Sequence, residues 1–156
     1  MPDQAARLYE LDELLTRLRL AIQRTGYRRR LLMGMDVPGG VSTLRSLRAV
    51  ELLSARSAPS IRDVATRLAV EHSTASRSVD TAVRAGLLTK RSCQEDLRRT
   101  RLELTRAGRS ILEQTSERRR EVLAEVTRSW RPEDMEMLIQ LLDEFCGGLD
   151  YLEKST

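Results

Sequence analysis

Between Ser73 and Arg84 the chain sets Ser73, Thr74, Ser76, Arg77, Thr81 and Arg84 at helical spacing, with Ala75, Val79, Ala82 and Val83 on the opposite side. Short hydroxyls and planar guanidinium groups are donors suited to phosphate oxygens and to the acceptor edge of guanine. Asp80 is the one acid in that stretch, whereas a helix with nothing but solvent to face more usually carries Glu and Lys. Catalytic chemistry finds less support. His72 is the single histidine, and no glycine-rich phosphate loop or paired-carboxylate motif stands out. One histidine with two distant cysteines, Cys93 and Cys146, does not make a metal cluster. The sequence therefore predicts a binding protein with no catalytic residues, no metal and no cofactor.

A helix of this kind needs a body to hold it. Ser60 followed by Asp63 is a capping signature after Pro59, and the helix it starts turns Ile61, Val64, Ala65 and Leu68 to one face. A turn at Ala69-Val70-Glu71 leads into the second helix, from about Ser73 to Ala85, which Gly86 stops. Two helices joined by so short a turn form a helix-turn-helix arrangement. Ahead of them, Ser42 to Ser54 reads as a helix with Leu44, Leu47, Val50 and Leu53 inward. Behind them, Leu87 to Cys93 and Thr100 to Leu104 read as two strands around a polar loop, Gln94 to Arg99. Lys90, Arg91 and Arg101 lie on those strands, and Asp96, Arg98 and Arg99 in the loop. A basic loop beside a recognition helix can reach an adjacent minor groove, where arginine is favoured, with Asp96 bracing Arg98.

The two ends are of another kind. Leu8, Leu11, Leu15, Leu18 and Ile22 recur at spacings of 3 and 4, as do Met135, Leu138, Leu142, Phe145, Leu149 and Leu152 after Pro132. Gly26 weakens the first of these helices, and Gly147-Gly148 interrupts the second seam. A third helical stretch, Thr105 to Ser129, is rich in Arg and Glu. The narrow seams fit an intermolecular interface or a small internal bundle, and periodicity leaves both open. The predicted order is four helices, a strand pair and two helices.

Charge follows the same division. Residues 41–105 hold 12 basic and 7 acidic residues, against 7 and 5 in residues 1–40 and 8 and 11 in residues 106–156, in a chain of net charge +4. A basic middle suits a polyanionic partner, although a solvated basic surface would look alike. At 156 residues, 40% hydrophobic but 3% aromatic, the chain can bury an aliphatic core. Two cysteines are no disulfide framework, and a buried apolar role is the commoner fate of such residues. The acidic, amphipathic start is neither a signal peptide nor a membrane span, and the location expected is the cytoplasm.

Ser60-Ile61-Arg62-Asp63-Val64-Ala65, Val70-Glu71-His72-Ser73-Thr74-Ala75-Ser76-Arg77, Ala85-Gly86-Leu87-Leu88, Glu95-Asp96-Leu97-Arg98 and Leu102-Glu103-Leu104-Thr105 together resemble the MarR family of bacterial transcriptional regulators. The resemblance extends to the Trp130 to Phe145 segment. It implies a mainly helical winged helix-turn-helix fold with a small β-hairpin wing, organised as residues 1–40 (N-terminal dimerisation helix and linker), 41–105 (DNA-binding domain) and 106–156 (C-terminal dimerisation helices). It further implies a homodimer, joined through Leu8, Leu11, Leu15, Leu18, Leu138, Leu142, Phe145 and Leu149. Such a dimer would sit on a pseudo-palindromic operator in double-stranded DNA, with half-sites roughly 10 base pairs apart.

The family's Asp-x-Arg wing pattern is matched by Asp96 and Arg98. Leu97 stands where the family is often basic, and Arg99 next to Arg98 is placed to take over that phosphate contact. Family members bind aromatic acids and other lipophilic anions between the dimer helices and the winged domain. Tyr27, Arg28, Met33, Arg45 and Arg48 would line such a cleft here, or serve equally as surface and core. The expected function is a ligand-responsive repressor. The second reading is a protein-interaction module that uses its terminal helices.

Overall fold

The computed structural model describes residues 2–55, 57–92 and 100–155. Seven helices and one hairpin occur among them: α1 (Pro2–Gln23), α2 (Thr25–Leu32), α3 (Gly40–Ser54), α4 (Ile61–Leu68), α5 (His72–Arg84), β1 (Leu88–Ser92), β2 (Thr100–Leu104), α6 (Arg106–Val126) and α7 (Pro132–Lys154). The chain divides into two compact units, Met1–Arg118 and Arg119–Thr156, and the division falls inside α6.

In the first unit an aliphatic core gathers Leu44, Leu47 and Val50 of α3, Val64 and Ala65 of α4, and Ala75, Val79 and Ala82 of α5. Leu88 and Leu102 close it from the hairpin and Leu112 from α6. Both local stops in the helix-turn-helix have visible causes. The Ser60 hydroxyl accepts from the Asp63 amide at 3.3 Å, while the Ser60 amide donates back to the Asp63 carboxylate at 2.7 Å, a reciprocal cap at the head of α4. Each of α4 and α5 then ends in a left-handed residue, Ala69 (φ 51°) and Gly86 (φ 69°), closed by hydrogen bonds from Val70 to Ala65 and from Leu87 to Ala82.

The hairpin is antiparallel, with Leu88 opposite Leu104, Lys90 opposite Leu102 and Arg91 opposite Arg101. Its second strand is tied further, because the Leu102 amide donates to the Pro59 carbonyl at 2.8 Å. Thr105 links hairpin to helix. Its hydroxyl donates to the Gly86 carbonyl at 2.7 Å and accepts from the Gly108 amide at 3.0 Å, which starts α6. Gly108 is needed at that point, since a Cβ there would lie 2.1 Å from the Leu87 carbonyl oxygen.

Three sequence expectations change. The break near the N-terminus falls at Arg24, whose backbone is extended (ψ 144°), and Gly26 lies inside α2, so five helices precede the hairpin instead of four. Helix α7 runs unbroken through Gly147 and Gly148, because a penalty of about 1 kcal/mol per glycine does not break a helix of 23 residues. Cys146 is exposed on α7, not buried. Cys93 lies outside the described residues. The segment expected to be linker also contributes to the core, with Leu31 and Val37 buried and Leu32 and Met35 packed against it.

The second unit holds the end of α6 and α7. Pro132 occupies the first turn of α7, and the Arg131 guanidinium grips Asp134 through two hydrogen bonds of 2.9 and 2.7 Å. No helix among the described residues is long and apolar enough to cross a membrane.

Candidate nucleic-acid interface

Helix α5 divides between core and solvent. Ala75, Val79 and Ala82 are buried, and Val83 is half-buried. Ser73, Thr74, Arg77 and Arg84 are exposed, and Ser76 and Thr81 half-buried. The small inward residues let α5 lie close to α3, where the Ser46 and Ser78 hydroxyls bond to each other. That pair was not foreseen, since Ser46 sits among leucines of the inward face and gives no apolar signal. Thr81 donates to the Arg77 carbonyl at 2.9 Å and accepts from Arg84 at 3.5 Å, so its hydroxyl serves the helix itself.

Asp80 is drawn toward the hairpin. Lys90 Nζ lies 2.6 Å from its Oδ1, and that hydrogen bond, with the Lys90 and Arg84 charges and a further bond from Ser76, holds the Asp80 carboxyl below the ordinary carboxylate range. The pleat explains the contact: Lys90 shares a strand face with the buried Leu88, so its ammonium extends back to α5. Arg91, on the other face, pairs with Glu103 at 3.0 Å, and Arg101 donates to the Ala58 carbonyl at 2.5 Å. Lys90 and Arg91, expected as wing contacts to DNA, are thus each paired with a carboxylate. Asp96, Leu97, Arg98 and Arg99 lie outside the described residues.

An open cleft of about 250 Å³ separates α5 from the start of α3. Gly39, Ser42 and Thr43 line one side, and Thr74, Arg77, Ser78 and Thr81 the other. The Pro-Gly-Gly run was legible only as a helix breaker, yet Gly39 is what lets the two sides approach. Its φ is 77°, and a Cβ there would stand 2.6 Å from Thr43 Oγ1 and 3.2 Å from Thr81 Cγ2. A second opening is lined by Glu51, Ser54, Ala58, Glu103, Leu104 and Arg109.

The residues expected around an effector sit in neither cleft. Tyr27 is half-buried, and Arg28 and Met33 are exposed. Arg45 reaches the Leu68 carbonyl at 3.4 Å, and Arg48 pairs with Glu51. Of the dimerisation set, Leu15 is half-buried, while Leu8, Leu11, Leu18, Leu138, Leu142, Phe145 and Leu149 are exposed. No group of side chains suited to a metal ion occurs among the described residues.

Residues 40–99 match the MarR family model, and they span the helix-turn-helix and the first strand of the hairpin. Over that span the chain is similar to the MarR family.

The fold of the whole chain is also that of MarR family structures. A MarR family transcription regulator aligns over 100% of this chain and 99% of its own, at 20% identity and a TM-score of 0.75. A MarR family protein from Bacillus stearothermophilus aligns over 94% of this chain and 97% of its own, at 19% identity and a TM-score of 0.79. FabT of Streptococcus pneumoniae, solved in complex with DNA, aligns over 93% and 99%, at 16% identity and a TM-score of 0.70. Among curated protein sequences none matches. The shared fold accounts for the position of α5, a helix backed by a small-residue core and flanked by a hairpin.

Proposed function

We propose that this protein is a sequence-specific transcriptional regulator that binds a pseudo-palindromic operator as a homodimer and acts by binding, not by catalysis. One observation carries the reading. Helix α5 presents Ser73, Thr74 and Arg77 to solvent, and its one acid is already paired with Lys90. That surface offers donors without an unpaired negative charge, which suits phosphates and guanine edges. Ser76, Thr81 and Arg84 border it, and the Asp96-x-Arg98 pattern of the sequence offers Arg98 as a second probe, for the minor groove.

Dimerisation is supported by unpartnered apolar surface. Of 21 exposed large apolar side chains among the described residues, 16 belong to α1 or α7. Monomers seldom leave that much leucine in water, and a second copy is the partner the MarR resemblance supplies. Repression relieved by a small aromatic or lipophilic anion rests on that resemblance, with Tyr27, Arg28, Met33, Arg45 and Arg48 as candidates.

Selection of bound duplexes from random DNA tests the reading. It should recover one palindrome, with affinity falling steeply as salt rises. Failure to enrich any sequence would remove the regulator and leave the terminal helices as a protein-interaction surface.

A further inference from the structure

We propose that the cleft between the start of α3 and helix α5 seats one phosphate of the DNA backbone, held by Ser42 and Thr74, with Arg77 bridging that phosphate and a base edge. The proposal rests on the DNA-binding reading above and adds to it a contact from α3, outside the recognition helix and wing.

The polar inventory of the cleft decides what it can bind. Thr43 donates to the Pro38 carbonyl at 2.6 Å, Thr81 donates to the Arg77 carbonyl, and Ser78 is bonded to Ser46. Ser42, Thr74 and Arg77 are exposed and have no side-chain partner among the described residues. No acidic side chain lines the cleft. What remains is a set of free donors, one a cation, converging from two elements. The complementary ligand is an anion that accepts hydrogen bonds, and the phosphodiester of a DNA backbone is the one the proposed function supplies.

Size agrees. A space of about 250 Å³ admits a phosphate group with water beside it, and its openness suits a ligand that remains part of a long polymer. Because the guanidinium carries five donors in a fixed fork, Arg77 can hold the phosphate on one edge and reach a base with the other. A phosphate held from both helices fixes the depth and rotation of α5 in the groove, which fixes the register of base reading.

Methylphosphonate scanning of the selected operator tests this with the full-length chain. In the wild type, one neutral linkage per half-site should weaken binding about tenfold. Ser42→Ala should weaken binding to operator and random duplex alike, also about tenfold, and should lose nothing more at that one linkage. Ser42→Thr should restore both affinity and the methylphosphonate penalty. Ser42 is exposed, so the melting temperature should not move. Wild-type affinity in Ser42→Ala, or a full further penalty at every methylphosphonate, overturns the proposal. Inorganic phosphate alone should give no saturable shift of the Ser42 amide resonance below millimolar concentration, and a saturable one would assign the cleft to a free anion. A wild type that prefers no duplex defeats the regulator reading and this proposal together, whereas specific binding with an indifferent Ser42 defeats only this one.

Discussion

Lys90 Nζ lies 2.6 Å from Asp80 Oδ1 and joins α5 to the first strand of the hairpin. Both side chains are substantially exposed, so the pair adds little stability, and its effect is on position and charge. Asp80→Asn should lower the melting temperature by no more than about 2 °C. It should also remove the one acid from α5 and release Lys90, so affinity for random duplex should rise more than affinity for operator. Fluorescence anisotropy on both duplexes checks this, and an unchanged operator-to-random ratio would show that the pair does not shape recognition.

The cap on α4 gives a pH dependence. Hydrogen bonds from the Ser60 amide and hydroxyl hold the Asp63 carboxyl below its usual value of 3.8. A carboxylate whose folded pKa is lowered contributes its full stability above the unfolded value and loses it as pH falls through the folded one. Stability from this cap should therefore be constant from pH 7 to about 5 and decline below about 4. Asp63→Ala removes the titrating carboxylate, so it should cost about 1 kcal/mol at neutral pH and flatten that acid limb, as read from denaturation midpoints between pH 7 and 3. An acid limb as steep as the wild type's would place the sensitivity elsewhere.

Much of this architecture was legible because it depends on local rules. Ser60 with Asp63, the stop at Gly86 and the alternation of small apolar residues in α5 each specify one feature within a few positions. What was missed depends on non-neighbours. The Ser46–Ser78 bond spans α3 and α5, the approach at Gly39 involves Thr81, and Lys90 finds Asp80 across the hairpin, so no spacing rule could reveal them. Gly147 and Gly148 are the opposite case, where the length of the surrounding helix outweighs a local penalty.

Two glycine-linked positions should respond in opposite senses. Gly108→Ala drives a Cβ against the Leu87 carbonyl oxygen, a backbone atom that cannot step aside, and should destabilise by about 1–3 kcal/mol. Ala69→Gly relieves a left-handed alanine and should gain about 1 kcal/mol. Urea midpoints at constant slope measure both, and a neutral Gly108→Ala would contradict the packing of α6 on the Leu87 carbonyl.

Leu18 is exposed on α1, so charging it should leave the fold intact. Leu18→Glu should convert dimer to monomer in sedimentation equilibrium and cost operator binding far more than thermal stability. A sedimentation mass that stays dimeric would exclude α1 from the interface.

Sequence reading by α5 should run through Arg77. The direct measurement is the affinity of Arg77→Ala for the selected operator and for random duplex at one salt concentration. The loss on the operator should be about ten times larger than on random DNA, the discrimination expected of one base contact. Equal losses on the two duplexes would contradict it, leaving Arg77 as a phosphate contact and α5 without its reader.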